Sequence, residues 1–356
     1  MTKLNPWWVT GYTDAEGCFL LNIFKNKNVA RGYSAKLIYQ ITAHHSDHDI
    51  MHALKAFFNN VGHIEYTSDN KYVSYRVYSN KDIVQTILPH FESYPLHSAK
   101  YIYFVLWSKS AHLMFEKLHL TDRGFIELLT YKASFTKKLD AEIFNNKFYS
   151  DIVPFNVNNI LKNSNVTLDP NYIAGFTGAD GSFSITKPSL VGRWPNYDAN
   201  FRIHQNIRDK ELLKSMRDQL GCGKVHILKD GMCNLSVRNK CELTDIIIPF
   251  FDKYQLNVQK KVDFLQFKKA LLILRKNLGK GLSNLSLEDR QILDFCISKM
   301  NRNRYSCKNE KKRDYADGSA FWLQILNMRF DSSISLKNKR YKGHGIYMNE
   351  VYIFRA

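Results

Sequence analysis

Two carboxylates stand at matching places in this chain. Glu16 closes Val9-Thr10-Gly11-Tyr12-Thr13-Asp14-Ala15-Glu16 and is followed by Gly17; Asp180 closes Ile173-Ala174-Gly175-Phe176-Thr177-Gly178-Ala179-Asp180 and is followed by Gly181. In each stretch a glycine and an alanine are spaced i, i+4. They fall on one helix face, where small residues let two backbones approach closely. Two such helices packed about a pseudo-two-fold axis would bring Glu16 and Asp180 side by side. A carboxylate at a helix C-terminus opposes the dipole, and two together repel. A divalent cation relieves both effects, and oxygen ligands with open positions point to Mg²⁺. A cation held this way activates water and stabilises the leaving oxygen in phosphodiester hydrolysis. Gly17 and Gly181 suit the left-handed conformation that ends many helices.

The match extends beyond these motifs. Ile87-Leu88-Pro89-His90-Phe91-Glu92-Ser93-Tyr94-Pro95-Leu96 recurs as Ile247-Ile248-Pro249-Phe250-Phe251-Asp252-Lys253-Tyr254-Gln255-Leu256. Lys100 and Phe104 follow the first, Lys260 and Phe264 the second. Repetition over this distance means two copies of one domain. The first copy reads as a helix over residues 5–15, with Pro6 in its first turn. Strands follow over 18–25 and 35–43, rich in β-branched and aromatic residues. An amphipathic helix over 47–58 starts at Ser46 or Asp47. Strands near 63–67 and 72–78 precede helices over 81–93, 98–118 and 122–144, the last capped by Thr121. The fold class is α+β, with two pseudo-symmetric α-β-β-α-β-β-α copies. The first spans 1–149, an Asn-rich linker 150–170, the second copy 171–304, and an extension 305–356 matches neither.

Lys plus Arg number 51 against 33 Asp plus Glu, for a net charge of +18. That excess argues for a polyanionic partner. No apolar run approaches the roughly 20 residues of a spanning helix, and no basic amphipathic helix marks a membrane surface. The six cysteines form no C-x-x-C pair and no disulfide framework, which fits a reducing compartment. The N-terminus reads as neither a signal nor a transit peptide. Heavy use of Lys, Asn, Ile, Phe and Tyr suits an AT-rich genome such as an organelle's. His48 and His52 have i, i+4 metal-ligand spacing, but no third ligand accompanies them. Leu278-Gly279-Lys280-Gly281-Leu282-Ser283 lacks phosphate-loop spacing and reads as a loop between helices.

The doubled motif resembles the LAGLIDADG homing endonucleases, in the single-chain, two-motif form of fungal mitochondrial introns. The resemblance covers about residues 5–304. It implies two domains, each with a four-stranded antiparallel saddle sheet on double-stranded DNA, and motif helices at the domain interface. It also implies a monomer that cuts both strands across the minor groove and leaves short 3′ overhangs. The last acid of each motif is a metal ligand in this family, here Glu16 and Asp180. The carbonyls of Ala15 and Ala179 face the metal region. One position departs between copies: two residues before the acid stands Asp14 in one and Gly178 in the other. The second helix end is accordingly expected to be less firmly fixed. An RNA maturase, assisting intron splicing, is the alternative the family offers. That activity would use the basic surface but not the carboxylate pair.

The same resemblance assigns Lys100 and Lys260 to charge stabilisation near the scissile phosphates. It also places a polar residue near the attacking water. Aligned through Tyr39-Gln40-Ile41-Thr42-Ala43 and Phe201-Arg202-Ile203-His204-Gln205, that position is Ala43 in one copy and Gln205 in the other. Alternate strand residues share a face. The expected DNA face therefore carries Asn22, Phe24, Asn26, Lys36, Ile38 and Gln40 in the first copy. In the second it carries Ser184, Thr186, Arg202, His204, Lys224, His226 and Arg238. Arg and Gln among them can read base edges in the major groove; others touch only phosphate.

Overall fold

Both motif helices are started by the same device. Asn5 accepts from the Trp7 N–H at 2.9 Å and Pro6 occupies the first turn of α1 (Pro6–Glu16). Asp169 accepts from the Asn171 N–H at 2.7 Å, and Pro170 opens α6 (Pro170–Asp180). A side-chain oxygen here satisfies a backbone donor that the helix itself cannot.

The computed structural model describes residues 3–136, 152–153, 167–187, 197–278 and 285–301. Most of the linker, the loop from 279, the tail of the helix expected to reach 144 and the whole extension 305–356 lie outside the described residues. After α1 come β1 (Gly17–Lys25), β2 (Tyr33–His44), α2 (His48–Phe57), β3 (His63–Tyr66) and β4 (Tyr72–Val77). Helical residues 80–93 form α3, followed by α4 (Lys100–Phe115) and α5 (Asp122–Thr136). The second half repeats the order. After α6 come β5 (Gly181–Thr186), β6 (Asp198–Asn206), α7 (Lys210–Leu220), β7 (Lys224–Ile227) and β8 (Met232–Val237). Then come α8 over 240–253, α9 (Lys260–Lys276) and α10 (Leu287–Ser298). The sheets are antiparallel, four strands each, ordered β1-β2-β4-β3 and β5-β6-β8-β7.

Each sheet buries one face. Phe19, Leu21, Leu37, Tyr39, Ile41, Val73, Tyr75 and Val77 are all at most 4% exposed. Phe183, Ile203, Phe201, Leu235 and Val237 do the same in the other sheet. The intervening residues face away, as the alternation requires. Both α3 and α8 contain a π turn, Ile83–Ile87 and Ile247 back to Leu243, directly before Leu88-Pro89 and Ile248-Pro249. A proline has no N–H to donate and clashes with the carbonyl four residues back. A widened turn accommodates it inside a continuous helix.

Three local expectations need correcting. Gly17 and Gly181 are extended, with φ of −77° and −76°, not left-handed. The reason for glycine is space: a Cβ at Gly17 would lie 2.5 Å from Thr13 Cγ2, and one at Gly181 would meet Thr177 in the same way. The helix passes into a strand with no intervening loop, so its last turn overhangs the strand's first residue. The second correction concerns α2, which neither Ser46 nor Asp47 caps. His44 accepts the Ser46 N–H ahead of a 3₁₀ turn, and Asp47 makes no cap to its own helix. The third concerns 98–118: the helix starts at Lys100 and stops at Phe115, since Lys117 is left-handed at φ 61°.

Candidate active site

Helices α1 and α6 cross through their glycines. A methyl group at Gly11 would lie 2.9 Å from Phe176 N and closer still to the Tyr172 carbonyl. One at Gly175 would lie 2.9 Å from Tyr12 N and closer still to the Trp8 carbonyl. Each glycine thus seats the other helix's backbone. The surroundings seal the contact: Trp8, Val9, Tyr12, Tyr172, Ile173 and Phe176 are all at most 2% exposed.

This crossing carries Glu16 and Asp180 to one centre, each partly exposed. The charges of both act on the buried Tyr12 and on Lys260. Burial, reinforced by Asp47, Glu16 and Asp180, pushes the Tyr12 phenol well above its ordinary range. Tyr12 therefore stays protonated at any physiological pH.

Two lysines close the centre from the starts of α4 and α9. Lys100 Nζ donates to the carbonyls of Thr13 at 3.1 Å, Ala15 at 3.2 Å and Gly17 at 2.7 Å. Lys260 Nζ donates to the Ala179 carbonyl. The free carbonyls at a helix C-terminus attract a cation, so each lysine rests where its own motif helix ends. Burial pulls the Lys260 pKa below the ordinary lysine value, against the raising effect of Asp180 and Glu16.

The two ends are held differently. Asp14, 3% exposed, accepts from the His97 N–H at 2.7 Å, the Ser98 N–H at 2.8 Å and the Tyr172 hydroxyl at 2.7 Å. The Ser98 hydroxyl donates to its other oxygen. At Gly178 the corresponding loop closes directly onto the helix: a Cβ there would lie 3.2 Å from Leu256 O and 3.3 Å from Val258 Cγ2. The second end is fixed by backbone packing where the first is fixed by hydrogen bonds.

Gln205 and Ala43 occupy equivalent places, two residues beyond Ile203 and Ile41, which pair with Gly181 and Gly17. Both stand on the helix-facing side of their sheets, level with the carboxylates. Gln205 Nε2 donates to Asp180 Oδ2 at 2.6 Å. Ala43 has no polar group to offer Glu16.

Two carboxylates and the carbonyls of Ala15 and Ala179 offer oxygen donors here. Among the described residues no group of three or more His, Cys, Asp or Glu forms a closed cage. This donor set suits a hard divalent cation that keeps open positions for water or phosphate. The histidine cluster does not make a second site. His48 Nε2 pairs with Asp49 at 3.1 Å, and the rings of His48 and His52 meet edge to face.

The outward sheet faces carry the expected polar set in register. In the first sheet, Asn22 lies opposite Lys36 and Gln40 opposite Arg76, which in turn faces His63. In the second, Ser182 lies opposite Arg202, then Ser236, then Lys224. His204 lies opposite Asn234, which faces His226. Ile38 shares the first face across from Leu20, and Phe24 is 46% exposed there. Asn26 lies past the end of β1 and donates to Ser34 Oγ at 2.9 Å. Ser184 and Thr186 face outward, and Ser184 donates to the Asn200 carbonyl at 3.3 Å. Arg238 follows β8 and pairs with Asp198 at 2.5 Å. Arg76 went unnamed in the sequence reading, although alternation over Tyr72–Val77 puts it outward with Ser74. It pairs with Glu65 at 2.7 Å. The Nε atoms of Arg76 and Arg202 are buried without a hydrogen-bond partner.

A pseudo-symmetric pair of sheet domains, meeting at one centre of two carboxylates and two lysines, is the class of molecule these features define. The chain belongs to the LAGLIDADG endonuclease family, whose sequence pattern matches residues 9–111 and 173–271. It is similar to probable intron-encoded endonuclease 2 of Neurospora crassa, 32% identical over 79% of this chain and 64% of that one. It is also similar to probable intron-encoded DNA endonuclease 1 of Mycosarcoma maydis, 27% identical over 73% of this chain and 96% of that one. The chain spans 64% and 54% of the lengths of two Neurospora crassa relatives. Among solved structures, I-SmaMI bound to uncleaved DNA target in the presence of calcium ions superposes with a TM-score of 0.76. It is 31% identical, with 84% of this chain and 99% of that one covered. I-GzeII in complex with its DNA target gives 0.76 at 29% identity, with 85% and 99% covered.

Proposed function

We propose that this protein is a site-specific DNA endonuclease that cuts both strands of a long, partly asymmetric target with Mg²⁺. The observation that carries the reading is the convergence of Glu16 and Asp180 between Lys100 and Lys260. Nothing in stability calls for two carboxylates at two helix C-termini. Glu16, Asp180 and the carbonyls of Ala15 and Ala179 would hold the cation, which when bound supplies an activated water and a stabilised leaving oxygen. Lys100 and Lys260 offset charge developing on the phosphates. Gln205 holds one oxygen of Asp180, which fixes how that carboxylate presents its other oxygen. The outward sheet residues, from Asn22 to Arg238, bind the duplex. The DNA-bound I-SmaMI and I-GzeII structures support duplex DNA as partner, and I-SmaMI is also known bound to cleaved DNA. Cleavage across the minor groove with short 3′ overhangs, action as a monomer and residence in the mitochondrion extend the same reading. The intron-encoded relatives support that origin. The intact carboxylate pair favours the nuclease over the maturase.

The direct test is cleavage of a randomised target library with Mg²⁺. A small set of related sites should be cut on both strands, chelation should stop the reaction, and binding should weaken steeply with salt as counterions are released. A protein that binds the library but cuts no member with Mg²⁺ sinks the proposal.

The Gln205 and Ala43 difference makes a sharper expectation. The strand served by Asp180 should be cut at a different rate from the other, so a nicked duplex should accumulate transiently. Gln205→Ala should slow mainly one strand, by less than the ~10²-fold of a full acid or base. End-labelled duplex in a time course reads both strands. Equal slowing of the two strands would remove Gln205 from this role.

A further inference from the structure

Neither lysine-bearing helix is capped by the side chain of its own N-cap residue. Ala99 and Gln259 hold the N-cap positions of α4 and α9, and neither side chain makes a cap hydrogen bond. At each start a carboxylate comes from the other half of the molecule. Asp47 Oδ1 accepts from the Gln259 N–H at 2.7 Å, and Asp209 Oδ1 accepts from the Ala99 N–H at 2.5 Å.

The two aspartates are pseudo-symmetry mates. Each follows the second strand of its sheet through a 3₁₀ turn, at φ −100°, ψ 23° and φ −101°, ψ 15°. Each precedes a helix, α2 or α7, and leaves that helix without a side-chain cap. Residues placed to cap their own helices are instead turned across the interface. A carboxylate at a helix N-terminus satisfies orphan N–H groups and favours the dipole. Here that interaction lands one residue before Lys100 and Lys260.

We infer that Asp47 and Asp209 are reciprocal positioning residues, each fixing in trans the helix start that carries the other half's active-site lysine. Asp47 sets Lys260 and Asp209 sets Lys100. The coupling makes each lysine's placement depend on correct docking of the two halves, so the centre is complete only when the interface is. It rests on the reading that the lysines serve cleavage.

The copies differ in one respect that the test uses. Ser98 Oγ accepts from the Lys100 N–H at 3.0 Å and gives α4 a second, local cap. Val258 stands at the matching place before α9 and has no acceptor on its side chain. Asp47 is therefore the more exposed of the two links.

The test combines hydrogen exchange with strand-resolved cleavage. Asp47→Ala should speed amide exchange at the start of α9 and leave the start of α4 as in wild type. Asp209→Ala should do the reverse, with a smaller change. At saturating enzyme, Asp47→Ala should slow one strand by up to about 10²-fold, the scale on which a misplacement of about 1 Å acts, with DNA affinity within about threefold. Asp47→Asn retains an acceptor oxygen and should restore the rate to within a few-fold. In a Lys260→Ala background, Asp47→Ala should slow cleavage no further, because both changes act through one group. Unchanged exchange at α9 in Asp47→Ala overturns the trans cap. An equal Asp47→Ala effect with and without Lys260 overturns the positioning role. If Lys260→Ala itself cuts at the wild-type rate, the lysine assignment in the proposed function falls, while the exchange result still reports on the cap.

Discussion

Glu16→Gln and Asp180→Asn are each expected to abolish double-strand cleavage while leaving DNA affinity within a few-fold. The substitutions are nearly isosteric, so the glycine-packed crossing that presents them should stay intact. What each removes is one negative charge and one anionic oxygen at the shared centre. If a metal ligand contributes ~4 kcal/mol to the transition state, its loss slows cleavage by about 10³-fold. Affinity is expected to be spared, because on the proposed reading the carboxylates do not bind the phosphates directly. On the same reading that attraction comes from the outward sheet residues and the charge of +18. Single-turnover cleavage and a filter-binding isotherm on the same target separate the two quantities. Wild-type cutting of both strands by either variant would show that the two-carboxylate centre is not the active site.

Gly11→Leu and Gly175→Leu should each destabilise the protein severely. At both positions even a methyl group meets the facing helix's backbone within 3 Å. Backbone cannot rotate away as a side chain can, so the helices must separate. Overpacking of this kind costs about 3 kcal/mol, a large share of the roughly 5–15 kcal/mol that holds a protein folded. Separating the helices also pulls Glu16 from Asp180, so residual folded protein should cut poorly. Gly11→Ala provides a milder version that should still fold, with a lowered midpoint and slower cleavage. Thermal unfolding of the Ala and Leu variants, read beside cleavage, tests both parts. Midpoints equal to wild type in Gly11→Leu and Gly175→Leu would remove close helix packing as the basis of the site.

Much of this architecture was legible in the chain because it is written twice. A single Gly-x-x-x-Ala helix ending in an acid is a weak signal, but a second copy turns it into a domain duplication. The strands were legible for a simpler reason. Alternation places Phe19, Leu21, Tyr39 and Ile41 inward, and Asn22, Lys36 and Gln40 outward, without reference to anything distant. The carboxylates drew notice through their doubled placement, since a helix C-terminus is the wrong place for negative charge unless something offsets it.

What the chain alone left undecided depends on how the backbone turns at the junctions and on contacts between residues far apart in sequence. Gly17 and Gly181 look like helix terminators; only the fold shows that the constraint on them is the overhanging Thr13 and Thr177, not a left-handed turn. Asp47 reads, with Ser46, as a candidate start of the helix that follows it. The folded chain turns it to Gln259, more than 200 residues away, as its separation of 212 records. Asp14 stands out in the chain only as the position that differs between the copies; the fold shows that it ties α1 to Ser98 and to Tyr172 of the other half. Periodicity and composition report on neighbours along the chain, and they determined the elements, the duplication and the pair of acids. The direction in which a buried polar side chain turns is set by whichever donors the interface brings near. That selection belongs to the tertiary structure, and it decided how the lysines, the trans caps and Gln205 are arranged around Glu16 and Asp180.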